Sequence, residues 1–341
     1  MAYLALEDCF YNILDVQYLD LNQPWWPADY VDQMTINGKM HMLTGDALLS
    51  SVSSMWGVFF NKRIAVDNDC ENFYSCVLNG EWTLDKMIEI ATGIYQDING
   101  DNTSDIGDVY GMCNGNFDVF ITACEEPFCL FGEDNKPYLN IVNDRITTVF
   151  NQLYDFTWNN PGTYPLLDHG QGWGEYPKFE NDQLLFTVST LQSIDKYRNM
   201  NTDFGILPIP KYDEAQDSYY TVCSDNATLF ALPTTCTKTE LIGAALEALS
   251  AESYNSVIPT YYEVALKVKY NRDDETCQML DILHDGRQYN MGYMYCLPLG
   301  IEGSILRQIL AEKNNLTSYY KSNQKRYEKK LQKLIDYYWN E

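Results

Sequence analysis

The sequence predicts an α/β protein built as two lobes, and three observations carry that reading. The chain has 341 residues, more than a single hydrophobic core usually serves. Short strand-like runs (SSMWGVFFNK, LLFTVST, DFGILPIP and ATLFALP) are interspersed with longer helical patterns, the alternation of an α/β architecture rather than of a sandwich or a bundle. Hydrophobic residues make up 45% of the chain but never form the run of about 20 that spans a bilayer.

In chain order, the opening MAYLALEDCFYNILD has neither a basic leader nor a small-residue cleavage site, so it does not read as a secretory signal. It starts on apolar and aromatic residues as though in mid-domain. Trp25 and Trp26 of PWWP read as a packing anchor rather than a sugar platform. GEWTLDKMIEIATGIYQ predicts a helix with Thr83 as N-cap, an apolar stripe of Leu84, Met87, Ile88, Ala91 and Ile94, and Trp82 stapled against Met87. TKTELIGAALEALSAESY predicts a second helix, with Thr237 and Glu240 at capping-box spacing. TSYYKSNQKRYEKKLQKLIDYYWNE predicts a terminal helix buried through Leu331, Leu334, Ile335 and Tyr338, whose lysines and arginines form a solvated face that offsets the acidity around them.

Composition excludes some partners. Forty-eight acidic residues against 23 basic ones give a formal charge of −25, which repels phosphate backbones and anionic lipid alike and makes nucleic acid an unsuitable partner. The aromatic content is 14%, with 27 tyrosines and seven tryptophans, and it suits either sugar faces or a tyrosine-rich core. Spacings such as Cys70/Cys76, Cys113/Cys124/Cys129 and Cys223/Cys236 allow local disulfides, and bridges and buried thiols stay equally open.

The dozen DINGDNTSDIGD sets oxygen ligands at the spacing of a calcium loop: the side chains of Asp97, Asn99, Asp101, Asp105 and Asp108, with the Thr103 carbonyl. Asn102 stands where glycine usually makes the sharp turn, and asparagine tolerates that conformation. Asp108 replaces a longer glutamate, which weakens the site. The expectation is a structural Ca²⁺ ion. The alternative is ordinary turn chemistry of Asp, Asn and Gly.

Several segments together resemble the sugar-binding group (family 1) of the extracellular solute-binding proteins of ABC importers: PWWPADYVDQMTINGKMHMLTGD, SMWGVFFNKRI, EWTLDKMIEIATGIYQDINGDNTSDIGDVYGM, KFENDQLLFTVST, DFGILPIPKYDEAQDSYYTV and ATLFALP, with ALEALSAESYNSVIPTYYEVALKVKYNRDDETCQML after them. The resemblance implies a periplasmic-binding-protein-like fold of two hinged lobes that close on ligand like a flytrap. It implies an N-terminal lobe of residues 1–57 and 228–270, incomplete because the opening strand, helix and strand are not found, and a C-terminal lobe of residues 58–227 and 271–341. MWGVFFNK would carry the first crossing and VCSDNATLFAL the return. It further implies an extracellular, lipid-anchored monomer that delivers an oligosaccharide to permease subunits.

By the same resemblance the ligand positions would be Asp46, Ser53, Ser54 and Trp56 at the first crossing, Asn114, Asn116 and Phe117 after the calcium-like loop, Ser189 and Thr190, and Tyr293 and Tyr295, with Trp173 in reach. Core packing competes for the aromatic positions, and cap or turn chemistry competes for the hydroxyl ones. A secreted glycoside hydrolase is the rival reading, because it needs the same aromatics and carboxylates. No G-x-S-x-G or H-E-x-x-H pattern is present, and His41, His169 and His284 stand alone. A calcium-dependent docking module would need a second loop after residues 97–108, and none follows.

Overall fold

The computed structural model describes residues 1–113, 118–164, 178–224, 227–263, 274–301 and 305–339. Its centre is a mixed five-stranded sheet made from β1 (Trp56–Asn61), β2 (Tyr95–Gln96), β3 (Val109–Met112), β6 (Leu184–Thr190) and β7 (Phe204–Leu207), in the order β2-β3-β6-β1-β7. β1 runs antiparallel to both β6 and β7, whereas β3 and β6 are parallel. β1 and β6 are buried along nearly their whole length, so they read as continuous apolar runs. Two small ribbons lie outside this sheet, β4 (Cys129–Phe131) with β5 (Pro137–Leu139), and β8 (Thr221–Val222) with β9 (Arg287–Gln288).

Helix Leu84–Thr92 covers one edge of the sheet. Thr83 Oγ1 accepts the Lys86 amide at 3.3 Å, the cap that the sequence predicts. Leu84, Met87 and Ala91 are fully buried, while Ile88 is only half-buried. The helix meets the sheet backbone directly: a Cβ on Gly111 or on Gly162 would stand 2.0 Å from the Ala91 carbonyl oxygen, so neither position accepts a side chain. Trp82, just before the cap, is fully buried, donates its indole N–H to Pro208 O at 2.9 Å and packs on Phe73 and Phe186.

Two local expectations fail. Helix Thr239–Glu252 starts beyond Thr237, and its N-cap Lys238 makes no side-chain cap bond, so the capping box does not form. The run ATLFALP is not a strand. Phe230 and Pro233 make only isolated bridges, to Leu43 and Phe10, because the neighbouring segments are too irregular to continue a ladder. The terminal helix spans Leu316–Trp339 and buries Leu331, Leu334 and Tyr338 as predicted, with Ile335 half-buried. All ten cysteines are free thiols, and burial pushes those of Cys76, Cys124 and Cys129 up to about 12, which keeps them protonated and unreactive. Among the described residues no helix is long and apolar enough to cross a membrane.

Candidate functional site

Three chain segments run side by side where β1 leaves the sheet. Met55 bridges Cys223, the Ser224 amide donates to Ser54 O at 3.0 Å, and the Leu191 amide donates to Met55 O at 2.9 Å. β8 pairs with β9 in parallel, and Arg287 reaches from β9 to donate to Ser51 O at 3.0 Å. Register brings the end of β6 to the same place, with Trp56 opposite Thr190 and Gly57 opposite Ser189. A neighbourhood built from residues 46–56, 189–193, 221–224 and 287–289 is thus assembled from four stretches far apart in sequence.

Its chemistry is set by two charged groups. Asp46 is only 7% exposed. Burial pushes its carboxyl up to about 6, against the opposing pull of Arg287. Its backbone is pinned, the amide to Trp25 O and the carbonyl to the Ser253 hydroxyl, yet among the described residues no hydrogen bond reaches its carboxylate. The Trp56 indole N–H is buried without a partner. Groups of this kind are costly unless something else completes them. Ser53 and Thr190 are half-buried beside them.

The remaining sequence-predicted positions divide. Ser54 spends its hydroxyl on Ser50 O, and Ser189 pairs with Ser193 at 2.6 Å. Tyr295 is fully buried, with its hydroxyl 2.6 Å from that of Tyr338 under the terminal helix; Tyr293 is buried nearby in helix Met291–Met294. Asn114, Asn116, Phe117 and Trp173 lie outside the described residues. Trp25 and Trp26 both donate to Glu247, at 3.1 Å each, which makes them a clasp on helix Thr239–Glu252. Sequence reasoning missed Arg287, together with Asp29, which accepts the Tyr289 amide at 2.6 Å, and Tyr289 itself, edge-on to Tyr30. The available signal was that Arg287 is the lone Lys or Arg between Arg272 and Arg307.

The loop of residues 97–108 folds on its own amides. Asp97 accepts from Gly100 and Asn102, Asp101 from Thr103, and Asp105 from Gly107, while Asn99 Nδ2 donates to Asp101 and Asp105. Asn102 adopts φ 57°, the left-handed turn that the sequence assigns to it. Asp108 is fully buried. Burial raises its carboxyl, but bonds from the Ile98 and Asp105 amides and the Tyr95 hydroxyl outweigh this and hold it low. Among the described residues, no three His, Cys, Asp or Glu side chains are gathered to hold a metal ion.

No family model and no curated protein matches the chain. Solved structures do. The ABC substrate-binding protein Lmo0181 from Listeria monocytogenes, solved with cycloalternan, superposes with a TM-score of 0.62 at 12% identity over 96% of this chain and 81% of its own. UgpB from Mycobacterium tuberculosis, solved with glycerophosphocholine, gives 0.62 at 15% identity over 98% and 82%. The maltose/maltodextrin-binding domain MalE from Bdellovibrio bacteriovorus, bound to maltotriose, gives 0.58 at 15% identity over 97% and 82%. The chain therefore has the α/β fold of the two-lobe binding proteins.

Proposed function

We propose that this chain is a solute-binding protein of an ABC importer that captures a carbohydrate between two lobes and does no covalent chemistry. The observation that carries this is the Trp56 indole N–H, buried without a partner at the segment junction, in the same neighbourhood as the Asp46 carboxylate, which accepts no hydrogen bond among the described residues. A sugar supplies both a hydroxyl donor and a hydroxyl acceptor, and the tryptophan face suits its C–H surface. Support comes from the fold, since similar structures hold maltotriose and cycloalternan.

In this reading residues 1–57 and 228–270 move as one lobe and residues 58–227 and 271–341 as the other, about the strands near Met55, Cys223 and Gln288. Ligand touching both lobes favours the closed form by its difference in affinity for the two states, and permease subunits read the closure. The protein works outside the cell as a monomer, held by a lipid anchor.

The test is a thermal-shift and calorimetry series with maltose, maltotriose, maltotetraose and glycerophosphocholine. An oligosaccharide that raises Tm unhydrolysed is the expected result, with a gain of about 2.7 kcal/mol at a hundredfold excess over Kd. Release of reducing ends would assign the site to a glycoside hydrolase.

Calcium belongs to the same proposal, as a structural ion at Asp97, Asn99, Asp101, the Thr103 carbonyl, Asp105 and Asp108 that replaces part of the loop's amide bonding. The ligand spacing and the left-handed Asn102 support it. Millimolar calcium is expected to raise Tm, and Asp97→Ala with Asp101→Ala to abolish that increment while leaving sugar preference unchanged. A Tm indifferent to calcium and to chelator would remove the ion.

A further inference from the structure

A formal charge of −25 predicts repulsion from anionic lipid, yet the positive charge is not spread evenly. Helix Leu316–Trp339 carries Lys321, Lys325, Arg326, Lys329, Lys330 and Lys333. Its buried residues, among them Tyr327, Leu331, Leu334 and Tyr338, lie along one side. At about 100° per residue the cations centre on the opposite side, over a length of about 18 Å. All are exposed except Lys330, which is half-buried. Lys321, Lys325, Lys329 and Lys333 follow each other four residues apart, as do Arg326 and Lys330, so like charges sit next to one another and weaken the helix. Among the described residues none of the six forms an ion pair. The stripe costs helix stability, and none of its cations closes an ion pair among the described residues, so it is open to an external counter-charge.

A second feature adjoins it. Tyr3, Leu4 and Leu297 are 56%, 51% and 55% exposed. The Tyr3 hydroxyl donates to Leu297 O at 2.8 Å. Helix Cys296–Leu299, which carries Leu297, packs on the terminal helix, and the Lys330 ammonium lies against Gly300. Large apolar side chains thus adjoin the basic helix at Lys330. Basic charge together with a few insertable apolar groups is the pairing that holds a protein at a lipid interface. The distant acidic surface opposes this little, because charges are screened beyond about 8 Å at physiological salt.

We propose that this surface docks the protein reversibly on an anionic phospholipid bilayer, with the lysines and Arg326 at the phosphates and Leu297, Tyr3 and Leu4 at the headgroup boundary. The proposal is independent of the sugar reading. The test is sedimentation of the full chain with vesicles of equal phosphatidylglycerol and phosphatidylcholine, against phosphatidylcholine alone. Binding to the anionic vesicles, lost at high salt, is expected. Lys325→Gln, Arg326→Gln, Lys329→Gln and Lys333→Gln together are expected to weaken it by roughly 100-fold or more, with the thermal melt retained, since glutamine keeps helix propensity. Leu297→Ser weakens it further. Absence of sedimentation, equal sedimentation with neutral vesicles, or affinity unchanged in the quadruple variant would overturn the proposal. Salt-reversible self-association without lipid would overturn it as well, by assigning the stripe to a second copy of the chain.

Discussion

Replacing Asp46 with asparagine is expected to make the protein more stable at pH 7.5 and a poorer sugar binder. Burial pushes this carboxyl from an ordinary 3.8 up to about 6, with Arg287 pulling the other way. A folded value above the unfolded one means that the native chain holds a proton which the unfolded chain has released. Stability is therefore greatest below about pH 4, falls as pH rises through the window from about 4 to 6, and at pH 7.5 bears the whole cost, roughly 3 kcal/mol. Asparagine keeps the shape and removes the charge. It also takes a counter-charge from Arg287, so the net gain expected is about 1–2 kcal/mol. Denaturation at pH 7.5 and at pH 4.5 checks this, because the advantage should shrink at the lower pH, where the native carboxyl is already protonated. Affinity should fall by about 10- to 100-fold, the loss of one hydrogen bond to a charged group. Such an exchange of stability for function is common at binding sites. A variant less stable at pH 7.5, or one that binds sugar as well as the parent, would show that the carboxylate serves the fold and not the ligand.

Trp82→Ala is expected to cost about 3–5 kcal/mol, a large share of a domain's usual margin. The ring is fully buried, its N–H meets Pro208 O at 2.9 Å, and it packs between the first residue of helix Phe73–Leu78 and the central strand β6 through Phe73 and Phe186. Truncation leaves a cavity on the sheet face and an unpaired carbonyl. Urea unfolding should show a lower midpoint at an unchanged slope, and Trp82→Phe should recover most of the loss. A loss under about 1 kcal/mol would mean that the layer between helix Phe73–Leu78 and the sheet is loosely packed.

What the sequence displayed was local. LLFTVST coincides with β6 to the residue, WGVFFN within SSMWGVFFNK is β1, and Thr83 caps its helix through the expected bond. The terminal helix shows its buried face by spacing alone. These features depend on period and capping within one turn or one strand, where neighbours in sequence decide the outcome. The misses share another cause. The alanine-rich helix begins past Thr237 because the preceding residues are held by other contacts, with the Lys238 amide on Cys236 Sγ and the Cys236 amide on Pro233 O. Nothing local to HDGRQY announces that Arg287 will face Asp46, because their meeting requires β9 to pair with β8 and β8 to adjoin β1. Tyr295, which resembles a stacking ring in sequence, goes to the core, where its hydroxyl pairs with that of Tyr338. Candidate residues on β1 and β6 come together because strand register places them; those on irregular segments could not be sorted without the fold.

Lobe closure is the centre of this account, and small-angle X-ray scattering with and without the tightest-binding oligosaccharide of the series tests it most directly. A smaller radius of gyration on saturation, reversed on dialysis and with the sugar recovered intact, is the result expected. Tight binding with an unchanged scattering profile, or recovery of shortened sugar, would contradict it.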